Sequence, residues 1–190
     1  IRYAVAYYDK TNDVRMQAKA HYYWGCVYRD MNRQAEAIRE FLIAAPLTEK
    51  AKEKRQLGLV YNNIGFIYNI QGFNEKAESI YQLMEVIAQE VKDTALWSEA
   101  LSKQGSIALT KGKEYFPIAE QKLSDAFGVV DRVGSNGLKA NISASLSNLY
   151  SRMDEGEKAL YYAKLNLSLR RDTARAYRAF YALQIISSCR

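Results

Sequence analysis

Trp24-Gly25-Cys26-Val27-Tyr28 and Ile64-Gly65-Phe66-Ile67-Tyr68 are one motif written twice, 40 residues apart. A further 40 residues lead to Gln104-Gly105-Ser106-Ile107-Ala108, and 42 more to Leu146-Ser147-Asn148-Leu149-Tyr150. One more step of 40 reaches Ile186-Ser187-Ser188-Cys189. Behind each motif a small residue recurs: Ala37, Ala77, Ala119 and Ala159, at distances of 12, 12, 14 and 12 from Gly25, Gly65, Gly105 and Ser147. A single two-residue insertion within Lys113-Glu114-Tyr115-Phe116-Pro117 explains both the spacing of 42 and the distance of 14. Self-similarity at a fixed period of this length is the signature of a stacked-repeat architecture.

Each repeat reads as a helical hairpin. Apolar residues fall at i, i+3, i+4 and i+7, the spacing of one helix face. A glycine in mid-helix costs about 1 kcal/mol of propensity, so its recurrence implies close approach by the second helix, where the Ala at the matching site leaves room from its own side. Asn32, Gly72, Gly112 and Asp154-Glu155-Gly156 supply residues that tolerate turn geometry. Helix-start chemistry is expected at Asn12-Asp13, Thr48, Asp93-Thr94, Ser135-Asn136 and Asp172-Thr173. The pattern predicts helices near 1–10, 14–31, 34–45, 49–71, 74–92, 94–111, 116–133, 137–153, 156–171 and 173–189.

The Gly-x-x-Tyr block, the turn Gly and the following Ala-x-x-x-Phe/Tyr resemble the tetratricopeptide repeat (TPR). The period near 40 is similar to the longer-helix TPR subgroup of bacterial signalling and regulatory proteins. The resemblance covers nearly the whole chain. It departs from the pattern at Ala108, where unit three lacks an aromatic residue, and at Ser147, which replaces Gly. It implies an all-α, right-handed α-α superhelix of antiparallel hairpins forming one solenoid. Units span 14–47, 48–92, 93–134 and 135–171, with 1–13 ending a preceding repeat and 172–190 forming the first helix of a fifth. The chain reads as a piece of a longer protein, in a bacterial cytoplasm or periplasm according to its flanking segments.

Composition narrows the chemistry. The 190 residues are 48% hydrophobic, with only 2 Pro, 10 Gly, 2 Cys and a single His. Such a chain is ordinary for a globular fold, poor in breakers and too poor in Cys and His for a metal cluster or a disulfide framework. No apolar run reaches the 18 or so residues of a membrane span. No Gly-rich phosphate loop occurs, since Lys111-Gly112-Lys113 is a helix-helix turn. His21 falls on the packing face of a first helix and reads as a core histidine. Cys26 and Cys189 lie about four units apart, too far to bridge. The tyrosines, 15 in all, fall mostly at core spacing, with Tyr28, Tyr68 and Tyr150 at one equivalent site and Tyr81, Tyr161 and Tyr162 on second helices. No residue set supports catalysis or a cofactor.

In TPR-like proteins the concave groove is lined by first-helix residues that face away from the second helix. Carried over by alignment, this surface holds Tyr22, Tyr23 and Arg29 in unit one, and Asn62, Asn63, Phe66 and Asn69 in unit two. Lys103 follows in unit three, then Asn141, Asn148 and Arg152 in unit four. Asn side chains can pair with a peptide backbone. Arg29, Lys103 and Arg152 suit a carboxylate, and Tyr22, Tyr23 and Phe66 are anchors of the kind that dominate binding energy. The expected function is a non-catalytic module that binds a protein, peptide or helix, with an acidic partner favoured by the charge. The alternative is self-association into homo-oligomers through the apolar ends, Ile1 and Ile185-Ile186. A third reading is nucleic-acid contact through Arg170, Arg171, Arg175 and Arg178. The net charge is +6, and residues 151–190 carry 8 basic against 4 acidic side chains. A solvated helix face is the default reading of such a cluster.

Overall fold

A computed structural model describes residues 2–132 and 134–188, with side chains placed for 3–132 and 134–172. Ile1, Cys189 and the side chains of Arg175, Arg178, Ile185 and Ile186 lie outside the described residues, and with them the readings that rest on those groups. Among the described residues the fold is all-helical. The helices are α1 (Arg2–Tyr8), α2 (Val14–Asp30), α3 (Gln34–Lys50), α4 (Lys54–Ile70), α5 (Asn74–Glu90), α6 (Thr94–Lys111), α7 (Phe116–Asp131), α8 (Asn136–Arg152) and α9 (Gly156–Ser188).

The period of 40 arises from a smaller module. Helices α2 to α5 each contain 17 residues, and three-residue turns separate them, so each helix and turn together occupy 20 residues. Five turns close alike. The middle residue adopts positive φ: Asn32 (58°), Lys52 (58°), Gly72 (80°), Lys92 (55°) and Asp154 (62°). The next amide reaches back to a carbonyl five residues earlier, as in Arg33 N to Tyr28 O (2.8 Å), Phe73 N to Tyr68 O (2.9 Å) and Glu155 N to Tyr150 O (2.9 Å). This is the Schellman closure, which satisfies the last helix carbonyls. The insertion in the third unit forms a short 3-10 turn at Lys113–Tyr115 between α6 and α7.

The hairpins close where the sequence places its small residues. A Cβ on Gly25 would lie 2.7 Å from the Phe41 ring, one on Gly65 2.7 Å from the Tyr81 ring, and one on Gly105 2.7 Å from Leu123 Cγ. In unit four Ser147 Oγ donates to the Ala159 carbonyl at 2.9 Å. The second helices answer with a stripe at every third or fourth residue: Ala37-Phe41-Ala44-Thr48, Ala77-Tyr81-Met84-Ala88 and Ala119-Leu123-Ala126-Val130. All twelve have zero exposed area. Unit four breaks the stripe with Ala159, Ala163, Asn166 and Arg170, of which Ala163 and Arg170 are exposed.

Two boundaries differ from the sequence expectation. Thr48 does not start a helix: it is buried within α3 and its hydroxyl donates to the Ala44 carbonyl at 2.7 Å. The helix runs past Pro46, whose missing N–H interrupts one backbone bond on an exposed face, and the next start moves to Lys54. The break expected at Asp172-Thr173 does not form either; α9 continues for 33 residues. No Gly or Pro stands there to end it. Asp13 and Asp93 do cap, accepting from Met16 N and Leu96 N at 3.0 Å each. Ser135 occupies the cap position without a side-chain bond.

Consecutive helices pack in series, and the first helices α4, α6 and α8 also touch one another in order, while the second helices make no comparable contacts among themselves. The first helices therefore line the inside of the curve.

Candidate functional site

The inner surface is built from four first helices in one register. Tyr23, Asn63, Lys103 and Ser145 occupy equivalent places on α2, α4, α6 and α8, and Cys26, Phe66, Ser106 and Asn148 form the next row. Alternate faces of each helix serve the two tasks: Gly25, Gly65 and Gly105 close the hairpin, and the residues beside them look into the groove.

Several of these side chains hold the units to one another. Arg29 donates through Nη1 to Asn63 Oδ1, and through Nε and Nη2 to Asp30 Oδ1 at 3.0 and 2.8 Å. Burial opposes the charge on Arg29, but the bond to Asp30 together with the fields of Cys26, Asp30 and Tyr22 outweighs it and holds the guanidinium ionised. Asn63 is buried and its amide also donates to the Leu59 carbonyl at 2.9 Å. Burial, aided by the neighbouring Cys26, pushes the Tyr22 phenol up to about 12, so it stays protonated. Burial likewise pushes the Cys26 thiol up. That thiol is therefore poorly ionised and a weak nucleophile.

Further along, Asn62 Nδ2 donates to Glu99 Oε1 at 3.0 Å. Asn141 accepts from Arg170 Nη2 at 3.1 Å. Arg152 donates to the Leu109 carbonyl at 2.5 Å, and its guanidinium carbon lies 4.9 Å from the centre of the Phe116 ring. Arg29, Asn62, Asn63, Asn141 and Arg152 are thus engaged within the chain, and Tyr22 is half-buried.

Of the remaining predicted residues, Tyr23, Phe66 and Asn148 are exposed and Asn69 and Lys103 are half-buried. Tyr23 is 55% and Phe66 38% exposed. Lys103, Asn69 and Asn148 have no side-chain hydrogen bond or ion pair among the described residues. Ile70, missed from the sequence, adds a 46% exposed apolar side chain at the groove edge. Its register, matching Asp30, Thr110 and Arg152, was the signal that could have placed it.

Other features lie off the groove. His21 is buried as expected, with Nδ1 2.7 Å from Glu40 Oε2 and Nε2 3.1 Å from Asp9 Oδ1, tying α1's connection to α2 and α3. Tyr28, Tyr68 and Tyr150 each pack beneath a cation: Arg33 at 4.7 Å, Lys76 at 5.7 Å and Lys158 at 4.7 Å from the ring centres. Tyr162 stacks on Tyr150 at 5.6 Å, but Tyr161 is 61% exposed and not a core residue. Glu85 joins three helices, accepting from Gln104 Nε2 (2.7 Å), Lys122 Nζ (3.2 Å) and Trp97 Nε1 (3.4 Å). An outer apolar cleft of about 530 Å³ is lined by Leu57, Tyr61, Leu83, Val86 and Ile87. Among the described residues no group of His, Cys, Asp and Glu could hold a metal ion, and no helix is long and apolar enough to cross a membrane.

Fold and groove together define a solenoid of α-hairpins. Two solved structures share this fold. BtubC (BKLC) from P. vanneervenii aligns with a TM-score of 0.74 at 13% identity, over 87% of this chain and 67% of that one. Aspartyl phosphate phosphatase F from Bacillus subtilis aligns with a TM-score of 0.54 at 15% identity, over 89% of this chain and 53% of that one. The present chain thus spans about half the length of the phosphatase. At these identities the likeness is one of fold. No protein-family model matches the sequence, and no curated protein matches it.

Proposed function

We propose that this chain is a non-catalytic protein-interaction module of the TPR type, binding a peptide or helix along the inner surface of α2, α4, α6 and α8 as part of a larger signalling or scaffolding protein. One arrangement carries the reading. The first helices, on the inside of the curve, hold Tyr23, Phe66 and Ile70 partly in solvent, beside Asn69, Lys103 and Asn148, whose side chains have no hydrogen-bond or ion-pair partner among the described residues. The second helices also expose apolar side chains, Leu42, Leu83, Val86 and Ile118 among them, but on the outside. Exposed aromatic side chains on a rigid concave scaffold are what a binding surface requires. The inner residues that bond across units, Arg29 to Asn63 and Asn62 to Glu99, brace that scaffold and pre-organise it.

The test is to select binders from a random 12-residue peptide library displayed on phage, then measure amide hydrogen exchange of the protein with and without a selected peptide. Slowed amide exchange on α2, α4 and α6 is the expected result. Protection confined to α3, α5 and α7, or the absence of any binder, refutes the groove as the binding surface.

A further inference from the structure

The inner surface is chemically uneven, and the unevenness specifies a partner. Its apolar side chains gather on the first two units: Tyr23 on α2, and Phe66 and Ile70 on α4. In units three and four the same registers hold polar side chains: Lys103 and Ser145 where Tyr23 stands, Ser106 and Asn148 where Phe66 stands, and Thr110 and Arg152 where Ile70 stands. The Ser106 and Ser145 hydroxyls lie 3.4 Å apart across α6 and α8.

Charge is distributed around that apolar patch. Arg29 is matched by Asp30 at 2.8 Å. Lys19 stands one helical turn before Tyr23 on α2, Lys103 stands on α6, the first helix next to α4, and both are half-buried. Neither has an ion-pair partner among the described residues. Arg152 bonds a neutral carbonyl, so its charge is also uncompensated. Against these stand Asp30, already paired, and Glu99, which among the described residues accepts only from the neutral Asn62 amide. Four cations and two carboxylates leave this surface with a net charge of +2.

Resting on the groove reading above, we infer that the occupant is an acidic amphipathic segment of a partner protein. Its aromatic or aliphatic side chains cover Tyr23, Phe66 and Ile70, and its flanking carboxylates reach Lys19 and Lys103. Partial burial of the two ammonium groups strengthens the attraction relative to fully exposed pairs, and opposite potentials accelerate encounter. The outer cleft at Leu83 and Val86 offers no such match, because its rim charges are largely paired, Lys54 with Glu90 and Arg15 with Glu53.

The experiment repeats the phage selection with three proteins: the unaltered chain, Lys19→Glu/Lys103→Glu, and Lys19→Gln/Lys103→Gln, each first shown by circular dichroism to melt as the unaltered chain does. Peptides from the unaltered chain should carry Asp or Glu on either side of an aromatic or aliphatic core. Their affinity should fall about tenfold or more for the charge-reversed protein, taking a modest gain per surface pair and adding repulsion, and severalfold for the neutral one. The charge-reversed protein should select Lys or Arg at the same flanks. Peptides that protect α2, α4 and α6 but show no acidic flanks, or bind all three proteins equally, overturn this inference while leaving the groove reading intact. Failure to obtain any peptide that protects those helices overturns both.

Discussion

Gly65→Ala puts the hairpin geometry at risk most sharply. Alanine in mid-helix gains up to about 1 kcal/mol of propensity over glycine, so without tertiary contact the change should stabilise. The new Cβ, however, would sit 2.7 Å from Tyr81 Cε1 and 2.8 Å from Cζ, where carbon pairs settle at about 3.5–4.0 Å. The ring cannot retreat, because Tyr81 is wholly buried in one packed cluster with Ala77, Met84, Ala88 and Ile107. Overpacking of this kind costs about 1–3 kcal/mol, and a cost in the upper part of that range, expected for a ring held on all sides, leaves a net loss of up to about 2 kcal/mol, or several degrees in Tm for a chain of this size. Gly128→Ala is the control: also within a helix, its Cβ would meet nothing within 4 Å, and a gain of about 0.5–1 kcal/mol is expected. Thermal and urea unfolding of both variants measure the difference. Adding Tyr81→Val should make Gly65→Ala favourable, since the ring atoms in question are gone; the coupling should be about 1–3 kcal/mol. If Gly65→Ala is as stable as the original protein, or if the two glycines respond alike, the close-approach argument is wrong.

Tyr81→Phe should stabilise by about 1 kcal/mol, because the Tyr81 hydroxyl is buried without a hydrogen-bond partner and Phe41 fills the equivalent site in unit one; urea unfolding that shows a loss would mean the hydroxyl is bonded. Asp93→Ala removes the acceptor for Leu96 N and the partner of Arg55 at 2.7 Å, and should cost about 1–2 kcal/mol, whereas Ser135→Ala, which removes no cap bond, should change melting little. For Glu85, burial disfavours the charge, but Gln104, Lys122 and Trp97 more than offset it and hold the carboxyl below its usual range. Its contribution is therefore present above the unfolded-state value and lost as pH falls through the lower folded one. Glu85→Gln should flatten that part of the acid-side stability curve, and an unchanged curve would exclude Glu85 as its source.

The repeat was legible because close packing leaves few choices: Gly25, Gly65 and Gly105 are each opposed by a large buried side chain, and the insertion at 113–117 showed itself as a broken count. Turns were legible at Asn32, Gly72 and Asp154, where the residue type tolerates positive φ, but not at Lys52 and Lys92, where the Schellman bonds impose it. Thr48 misled because threonine can cap a helix or bond its own preceding turn, and only burial decides. In the groove, register gave the rows of side chains. It could not tell that Arg152 turns to the Leu109 carbonyl or Arg29 to Asn63, since long side chains choose among partners by local geometry rather than by position in a repeat.

Hydroxyl-radical footprinting of the free protein and of its complex with a selected acidic peptide tests fold and groove in one measurement. Tyr23 and Phe66 should be oxidised in the free protein and shielded by the peptide, while Phe41 and Tyr81, with zero exposure, should stay unmodified in both. Oxidation of Phe41 and Tyr81 in the free chain, or a peptide that leaves Tyr23 and Phe66 unshielded, would contradict the account.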